Sequence, residues 1–315
     1  MRATASLAVA WHPDCLEHVP IPGHPERAER LRAAVVGATL PGARVLDVTV
    51  DETGVLAAVA RVHEEGYPER LRAACTHAPA FFDVADNPIS AGSYRAAVAA
   101  VAATLSGLDA VLAHEARRAW AAVRPPGHHA LSGAAMGYCF FNNVAIAAEA
   151  ALAQGVGPVA IVDFDVHHGN GTQAHFWERD DVYYVSVHRY PCYPGTGSGD
   201  EVGGGRGHGF TRNFPLAAGA DDATYTSALE AGIEEVLSAM QPRLWLASAG
   251  FDAHREDPLG GMALTEGGFN RIGALLRAAS GEMPVLAVLE GGYKPEALRR
   301  SVRSFLQGLV GIDDS

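Results

Sequence analysis

Lysine is nearly missing from this chain: Lys294 is the only one, and arginine supplies the remaining basic side chains. No basic stripe stands out, and the formal net charge is -12. Nucleic-acid binders carry a basic patch, so nucleic acid is not an expected partner. The acidic excess fits cationic substrates or partners better, although such excess more often confers solubility. Cysteine is also scarce. Cys15, Cys75, Cys139 and Cys192 are scattered, with no C-x-x-C pair, which argues against a disulfide framework and a cysteine zinc site. A reducing, cytoplasmic setting is expected. No apolar run approaches the roughly 20 residues needed to span a bilayer, and the alanine-rich stretch 96–105 is too short. The first ten residues have one arginine and no long apolar segment, so neither a signal peptide nor a membrane partner is expected.

What is present is a globular composition, 48% hydrophobic over 315 residues, ample for one large core. No repeat or Pro/Gly/Ser-rich linker divides the chain, so residues 1–315 read as one domain. Short apolar, β-branched runs alternate with helical patterns. Strands are predicted at 7–10, 118–123, 159–164, 182–187, 244–249 and 285–289. Helices are predicted at 25–36, 93–105, 142–154, 224–240, 265–279 and 294–308. Continuous apolar strands between helices imply an α/β fold whose parallel sheet is covered on both faces.

Four of these strands run straight into chemically capable residues. The clusters are Arg124-Pro-Pro-Gly-His-His129, Asp163-Phe-Asp-Val-His-His168, Gly250-Phe-Asp252 and Glu290-Gly-Gly-Tyr293. Open α/β sheets bind ligands outside the carboxyl ends of their strands, so distant clusters can meet at one edge. If 159–166 is extended, Asp163, Asp165 and His167 share one face. Two buried carboxylates and an imidazole call for a cation. Asp252 would make Asp165, His167 and Asp252 three ligands with an open position, the catalytic zinc pattern. This anionic donor set leaves manganese or iron open. The bland alternative is a set of turn residues around a satisfied core histidine; the coincidence of four clusters weighs against it.

His128 and His129 suit acid–base work beside a metal, each needing a partner on its second ring nitrogen, with Asp163 and Asn170 available. Tyr293 can donate to a developing oxyanion, although a lone tyrosine is more often a core aromatic. Weaker signals are read plainly. Gly203–Gly209 is expected to be a flexible loop, since it lacks a phosphate loop's context. His24-Pro-Glu-Arg27 reads as a helix start.

Taken together, RPPGHHA (124–130), GYCFFNN (137–143), DFDVHHGNGT (163–172), GFD (250–252), DPLGG (257–261) and LEGGY (289–293) resemble the histone deacetylase superfamily. His24-Pro25-Glu26 resembles its N-terminal motif. Asn170 makes the chain most similar to the class II type and its bacterial relatives, which include acetylpolyamine amidohydrolases. The resemblance implies the arginase/deacetylase fold, a single domain around a mostly parallel eight-stranded sheet. It implies one zinc ion on Asp165, His167 and Asp252. His129 would be general base and acid, held by Asn170, with His128 its companion, held by Asp163. Tyr293 would polarise the carbonyl, and the Gly137 carbonyl would accept the amide N–H. Tyr138 and Tyr193 would wall an acyl-amine tunnel where the family usually has phenylalanine. A potassium ion would lie on Asp163, Ser186 and the carbonyls of Asp165, His167 and Val187.

The implied partner is an acylated lysine or a small acyl-amine. Acetyl-lysine in proteins, acetylpolyamines and other acylated metabolites all satisfy that description, and a homo-oligomer is left open. The polyamine-preferring branch carries a glutamate where this chain has Leu259, so acyl-lysine or neutral acyl-amines are expected over acetylspermidine. Binuclear manganese ureohydrolases share the fold. Their two additional carboxylates are replaced here by Gly169 and His254, leaving a second metal short of ligands. A non-catalytic acyl-lysine binder would be expected to lack Tyr293 or a histidine, and all are present.

Overall fold

The computed structural model describes residues 5–312. The strands are β1 (Ala5–Ala10), β2 (Ala43–Val45), β3 (Ala80–Phe81), β4 (Pro88–Ile89), β5 (Ala116–Ala121), β6 (Val159–Asp163), β7 (Val182–Arg189), β8 (Thr211–Leu216), β9 (Leu244–Ala249) and β10 (Val285–Leu289). The helices are α1 (Ala28–Gly37), α2 (Glu52–Val59), α3 (Tyr67–Cys75), α4 (Ser93–Leu112), α5 (Asn143–Ala153), α6 (Asn170–Phe176), α7 (Asp222–Ala239), α8 (Glu266–Ser280) and α9 (Pro295–Val310). Eight strands form one sheet in the order β2-β1-β5-β10-β9-β6-β7-β8, every neighbouring pair parallel. Strands β3 and β4 form a separate antiparallel pair.

The central strands are buried throughout: β6 reads VAIVD and β10 reads VLAVL. Such runs suit a parallel strand covered on both sides. Alternate side chains enter opposite helical layers. Gly107 of α4 sits so close to the sheet that a Cβ there would lie 2.9 Å from Leu286 and 3.6 Å from Ala119. The next residue on β5, Trp120, instead meets Phe305 of α9 and Phe251, with centroids 6.5 and 6.0 Å apart. Side-chain caps start the helices that follow the site loops: Asn142 accepts from the Ala145 N–H and Thr265 from the Gly267 N–H.

Several expectations change. The edge strands β2 and β8 are unpredicted, because β2 has three residues and β8 reads TRNFPL, polar as an exposed edge permits. Helices α2, α3 and α6 are likewise unpredicted. Helix α4 runs to Leu112, seven residues beyond the predicted end, because Leu108 and Val111 continue its buried face. Its 20 residues are long and apolar enough to cross a membrane, but most of that surface is buried inside the fold. Helix α1 starts at Ala28, so Glu26 lies outside it. The glycine loop 203–209 is packed rather than loose: Gly204 donates to the Trp177 carbonyl at 2.8 Å, and a Cβ on Gly207 would meet that oxygen at 2.5 Å.

Candidate active site

Five loops at the carboxyl edge carry the candidate residues: those after β5, β6, β7, β9 and β10. Strand β6 ends at Asp163, so strand alternation does not place Asp165 and His167 as expected. A turn does it instead. Asp163 Oδ1 accepts the Asp165 N–H at 3.2 Å, and Asp165 Oδ1 accepts the His167 N–H at 2.9 Å. Each carboxylate thereby orients the residue two positions on. The β9 and β10 loops lock onto this turn: Val166 N–H donates to Asp252 Oδ1 at 2.9 Å, and Gly291 N–H to Asp165 Oδ2 at 2.7 Å. A Cβ on Gly291 would lie 2.2 Å from Asp252 Oδ2, so only glycine fits against the two carboxylates.

One donor atom from each of Asp165, His167 and Asp252 lies within 4.8 Å of the others. His167 Nδ1 faces Asp165 Oδ1 and Asp252 Oδ2, each at 3.1 Å. A single ring nitrogen can donate one proton, and Asp252 Oδ2 is buried without a hydrogen bond. Burial and the Asp165 carboxylate push the Asp252 carboxyl upward. A divalent cation held by all three groups relieves both the orphaned oxygen and the like-charge repulsion, so the donor set fits a metal.

Beside this cluster lie the paired imidazoles. His128 Nδ1 is 3.0 Å from Asp163 Oδ2, and His129 Nδ1 is 2.8 Å from Asn170 Oδ1. The rings lie 4.0 Å apart by their centroids. Burial disfavours charge on His128, but Asp163, Asp165 and Glu290 outweigh it and push the group up to about 10. Burial, then His128 and His167, hold His129 well below the ordinary imidazole range. Charge is thus favoured on the first ring and disfavoured on the second. Gly137 has φ +57, and a Cβ there would lie 2.2 Å from His129 Cδ2. Glycine therefore lets the backbone pass against the imidazole, and the Gly137 carbonyl accepts from Cys139 Sγ at 3.3 Å.

Tyr293 is held from three sides. Its N–H donates to Asp257 Oδ2 at 2.6 Å, the Arg30 guanidinium sits 4.8 Å from its ring centroid, and Tyr138 meets its ring edge-on at 5.9 Å. Arg30 also donates to the carbonyls of Gly292 and Glu290, both at 2.5 Å. Behind it, Glu26 is fully buried, accepting from Arg30 at 2.9 Å and through both oxygens from Arg124 at 2.6 Å. Glu26 is therefore an ionic hub rather than the helix start expected from the sequence. Glu290 accepts from the backbone N–H groups of Gly127 and His128, fixing the loop that presents the histidines. The supporting roles of Arg30, Asp257 and Glu290 were missed. The only sequence signal was their place in or beside the recognised motifs.

A cavity of about 360 Å³ opens over these groups. His129, His167 and Tyr293 reach it, and Tyr138, Tyr193, Leu259 and Asp86 line it. Burial and Asp86 push the Tyr193 hydroxyl upward. At the proposed potassium position, Ser186 Oγ pairs with His188 Nδ1 at 2.8 Å. The Tyr225 hydroxyl meets the carbonyls of Val187, Phe164 and Asp165 at 2.6, 3.0 and 3.4 Å. A second acidic group, His254, Glu256 and Glu266, is no metal cradle. His254 Nδ1 accepts the Glu256 N–H, which leaves the proton on Nε2, facing Glu266, and Arg300 bonds both glutamates.

A parallel α/β sheet with paired imidazoles beside a three-donor, cation-type cluster at its carboxyl edge is suited to metal-assisted hydrolysis. The histone deacetylase domain matches residues 22–309, and the chain belongs to that family. It is 42% identical to the histone deacetylase-like amidohydrolase of Pseudomonas aeruginosa, over 80% of this chain and 67% of that protein. It is 37% identical to histone deacetylase 15 of Arabidopsis thaliana, over 98% of this chain and 57% of that longer protein. Among solved structures, acetylpolyamine aminohydrolase from Burkholderia pseudomallei superimposes with a TM-score of 0.86 at 32% identity, covering 97% of this chain and 98% of that one.

Proposed function

We propose that this chain is a zinc-dependent deacetylase that hydrolyses the amide of an acylated amine. The observation that carries the reading is the shared orientation of Asp165, His167 and Asp252, with one buried oxygen left without a hydrogen bond, beside a His129 whose Nδ1 faces Asn170 Oδ1. Zinc held there supplies Lewis acidity toward the acyl carbonyl and a water of lowered pKa. His129, steadied by Asn170, removes the proton from the attacking water. The Tyr293 hydroxyl donates to the oxygen on which charge develops. An imidazolium then protonates the leaving amine, and the Gly137 carbonyl receives the amide N–H. Asp163 keeps His128 charged next to that pair. Potassium on Asp163, Ser186 and the neighbouring carbonyls would brace the turn; the carbonyls gathered at Tyr225 support this, since one hydroxyl proton cannot satisfy three acceptors.

Metal analysis with turnover tests the proposal. One zinc per chain, with loss of acetyl-lysine hydrolysis on chelation and its return with zinc, is the expected outcome. A stoichiometric protein inactive with zinc, manganese and iron overturns it. As to substrate, Leu259 walls the cavity and is exposed. A leucine there offers no partner to a polyamine ammonium. Acetyl-lysine peptide is expected to exceed acetylspermidine in kcat/KM, with Leu259→Glu shifting the ratio toward the polyamine. An acetylspermidine preference of about tenfold in the wild type sinks this part.

A further inference from the structure

The loop after β7 brings Tyr193 to the candidate active site, where its ring stands edge-on to His129 and His167, with centroids 5.2 and 6.1 Å apart. Among the described residues, the backbone of 191–195 hydrogen-bonds only within itself, Gly195 N–H to the Cys192 carbonyl at 2.8 Å. That stretch is therefore held from its two ends. At the near end, the Arg189 and Tyr190 N–H groups donate to the Val166 and Leu216 carbonyls, both at 2.8 Å. At the far end, the loop lands on two buried imidazoles, His168 and His188, whose centroids are 4.8 Å apart. Thr196 Oγ1 is 2.8 Å from His168 Nδ1, and the Gly197 carbonyl is 2.8 Å from His188 Nε2. A Cβ on Gly197 would lie 2.5 Å from His188 and 2.6 Å from His168, so the backbone rests directly on both rings.

The surrounding partners fix where the protons lie. Gln173 Nε2 donates to Glu201 Oε2 at 2.5 Å, so Gln173 Oε1 faces His168 Nε2 at 3.0 Å as an acceptor. His168 therefore donates from Nε2; burial disfavours a second proton, and Nδ1 is left to accept. The proton in the Thr196 contact is thus the threonine's own. Gln173 follows Asn170 by three positions on α6, and Asn170 faces His129, so one short helix serves both imidazoles. Resting on the proposed function, we infer that Thr196 and His168 are positioning residues: the hydroxyl donated to that imidazole holds Tyr193 as the wall against which the substrate stem packs. Removing the donor leaves a buried ring nitrogen without a partner and loosens the end of the loop nearest Tyr193.

The experiment uses zinc-loaded protein and two hydroxamates, whose head group chelates zinc. Hexanohydroxamate has an alkyl chain to lay in the cavity, and acetohydroxamate has almost none. In calorimetry, Thr196→Val should weaken hexanohydroxamate about fivefold or more, while acetohydroxamate affinity and zinc content hold within about twofold. Thr196→Ser keeps the hydroxyl and should behave as wild type. With an acetyl-lysine peptide the Thr196→Val loss is expected in KM, with kcat within about twofold. Tyr193→Ala should also weaken hexanohydroxamate, and adding Thr196→Val to it should cost little more, since both act through one ring. An unchanged hexanohydroxamate affinity in Thr196→Val overturns the inference, as do an equal loss for both hydroxamates, a serine variant no better than the valine one, or additive losses with Tyr193→Ala. If the hydroxamates behave as expected but the wild type hydrolyses no acylated amine, the positioning role stands and the deacetylase reading fails. Hydrolysis by the wild type with no effect of Thr196→Val has the opposite meaning, and a zinc-loaded wild type that binds neither hydroxamate overturns both.

Discussion

His129 and Asp252 sit on the same small volume and are expected to fail differently when removed. Asp252→Ala reduces three donor groups to two, so metal and activity should be lost together. His129→Ala removes a base that is no ligand; turnover should drop about 10²–10⁴-fold with metal retained. Metal content measured beside initial rates separates the two, and full zinc in Asp252→Ala contradicts the ligand assignment. Tyr293→Phe keeps the ring against Arg30 and Tyr138 and deletes one donor. A fall of about 10²–10³-fold in kcat with little change in KM is expected; a change confined to KM would make the hydroxyl a ground-state contact. At this scale much was legible. Asp165, His167 and Asp252 were marked by residue type at strand ends; the pairing of Asp163 with His128 and Asn170 with His129 came from the family resemblance, and these groups lie 3.0 and 2.8 Å apart. Glu26 was not legible, because nothing in a local pattern says that a carboxylate will be buried between two arginines over ninety positions apart.

Between elements, that same Glu26 joins the approach to α1, the loop after β5 and, through Arg30, the loop after β10. Burial favours its neutral form, yet Arg124, His18 and Arg30 outweigh burial and hold it down to about 2, from an ordinary value of 4.5. A carboxyl lowered on folding adds stability above its unfolded value and loses it as pH falls through the folded one. Glu26→Gln should therefore cost about 3–5 kcal/mol near neutrality, because two guanidinium groups lose their countercharge. Its melting temperature should also change less than that of the wild type between pH 4.5 and 2. Parallel slopes in calorimetry across that window would place the stabilisation elsewhere. The elements that escaped sequence reasoning share a cause. Strands β2 and β8 lie at the sheet's two ends, where one side needs no partner and polar residues are tolerated. Strand β6 stops earlier than its pattern, because the Asp163 and Asp165 turns offer the backbone a different set of hydrogen bonds.

Across the whole molecule, binding that reaches only the folded state must stabilise it. Zinc at a hundredfold excess over its dissociation constant should add about 2.7 kcal/mol, read as a raised melting temperature that chelation reverses; an unchanged transition would mean that the loops hold no metal. The sheet being parallel throughout has a consequence of a practical kind. Every candidate catalytic side chain follows a strand, so the turns that precede strands carry none of them. The turn between α5 and β6 is one such place, with Ala153, Gln154 and Gly155 exposed. A peptide handle spliced between Gln154 and Gly155 should leave kcat/KM within about twofold, because backbone additions at exposed tips are tolerated. Anchored there on a solid support, the protein would hold its cavity toward the liquid, and every immobilised copy would face the same way.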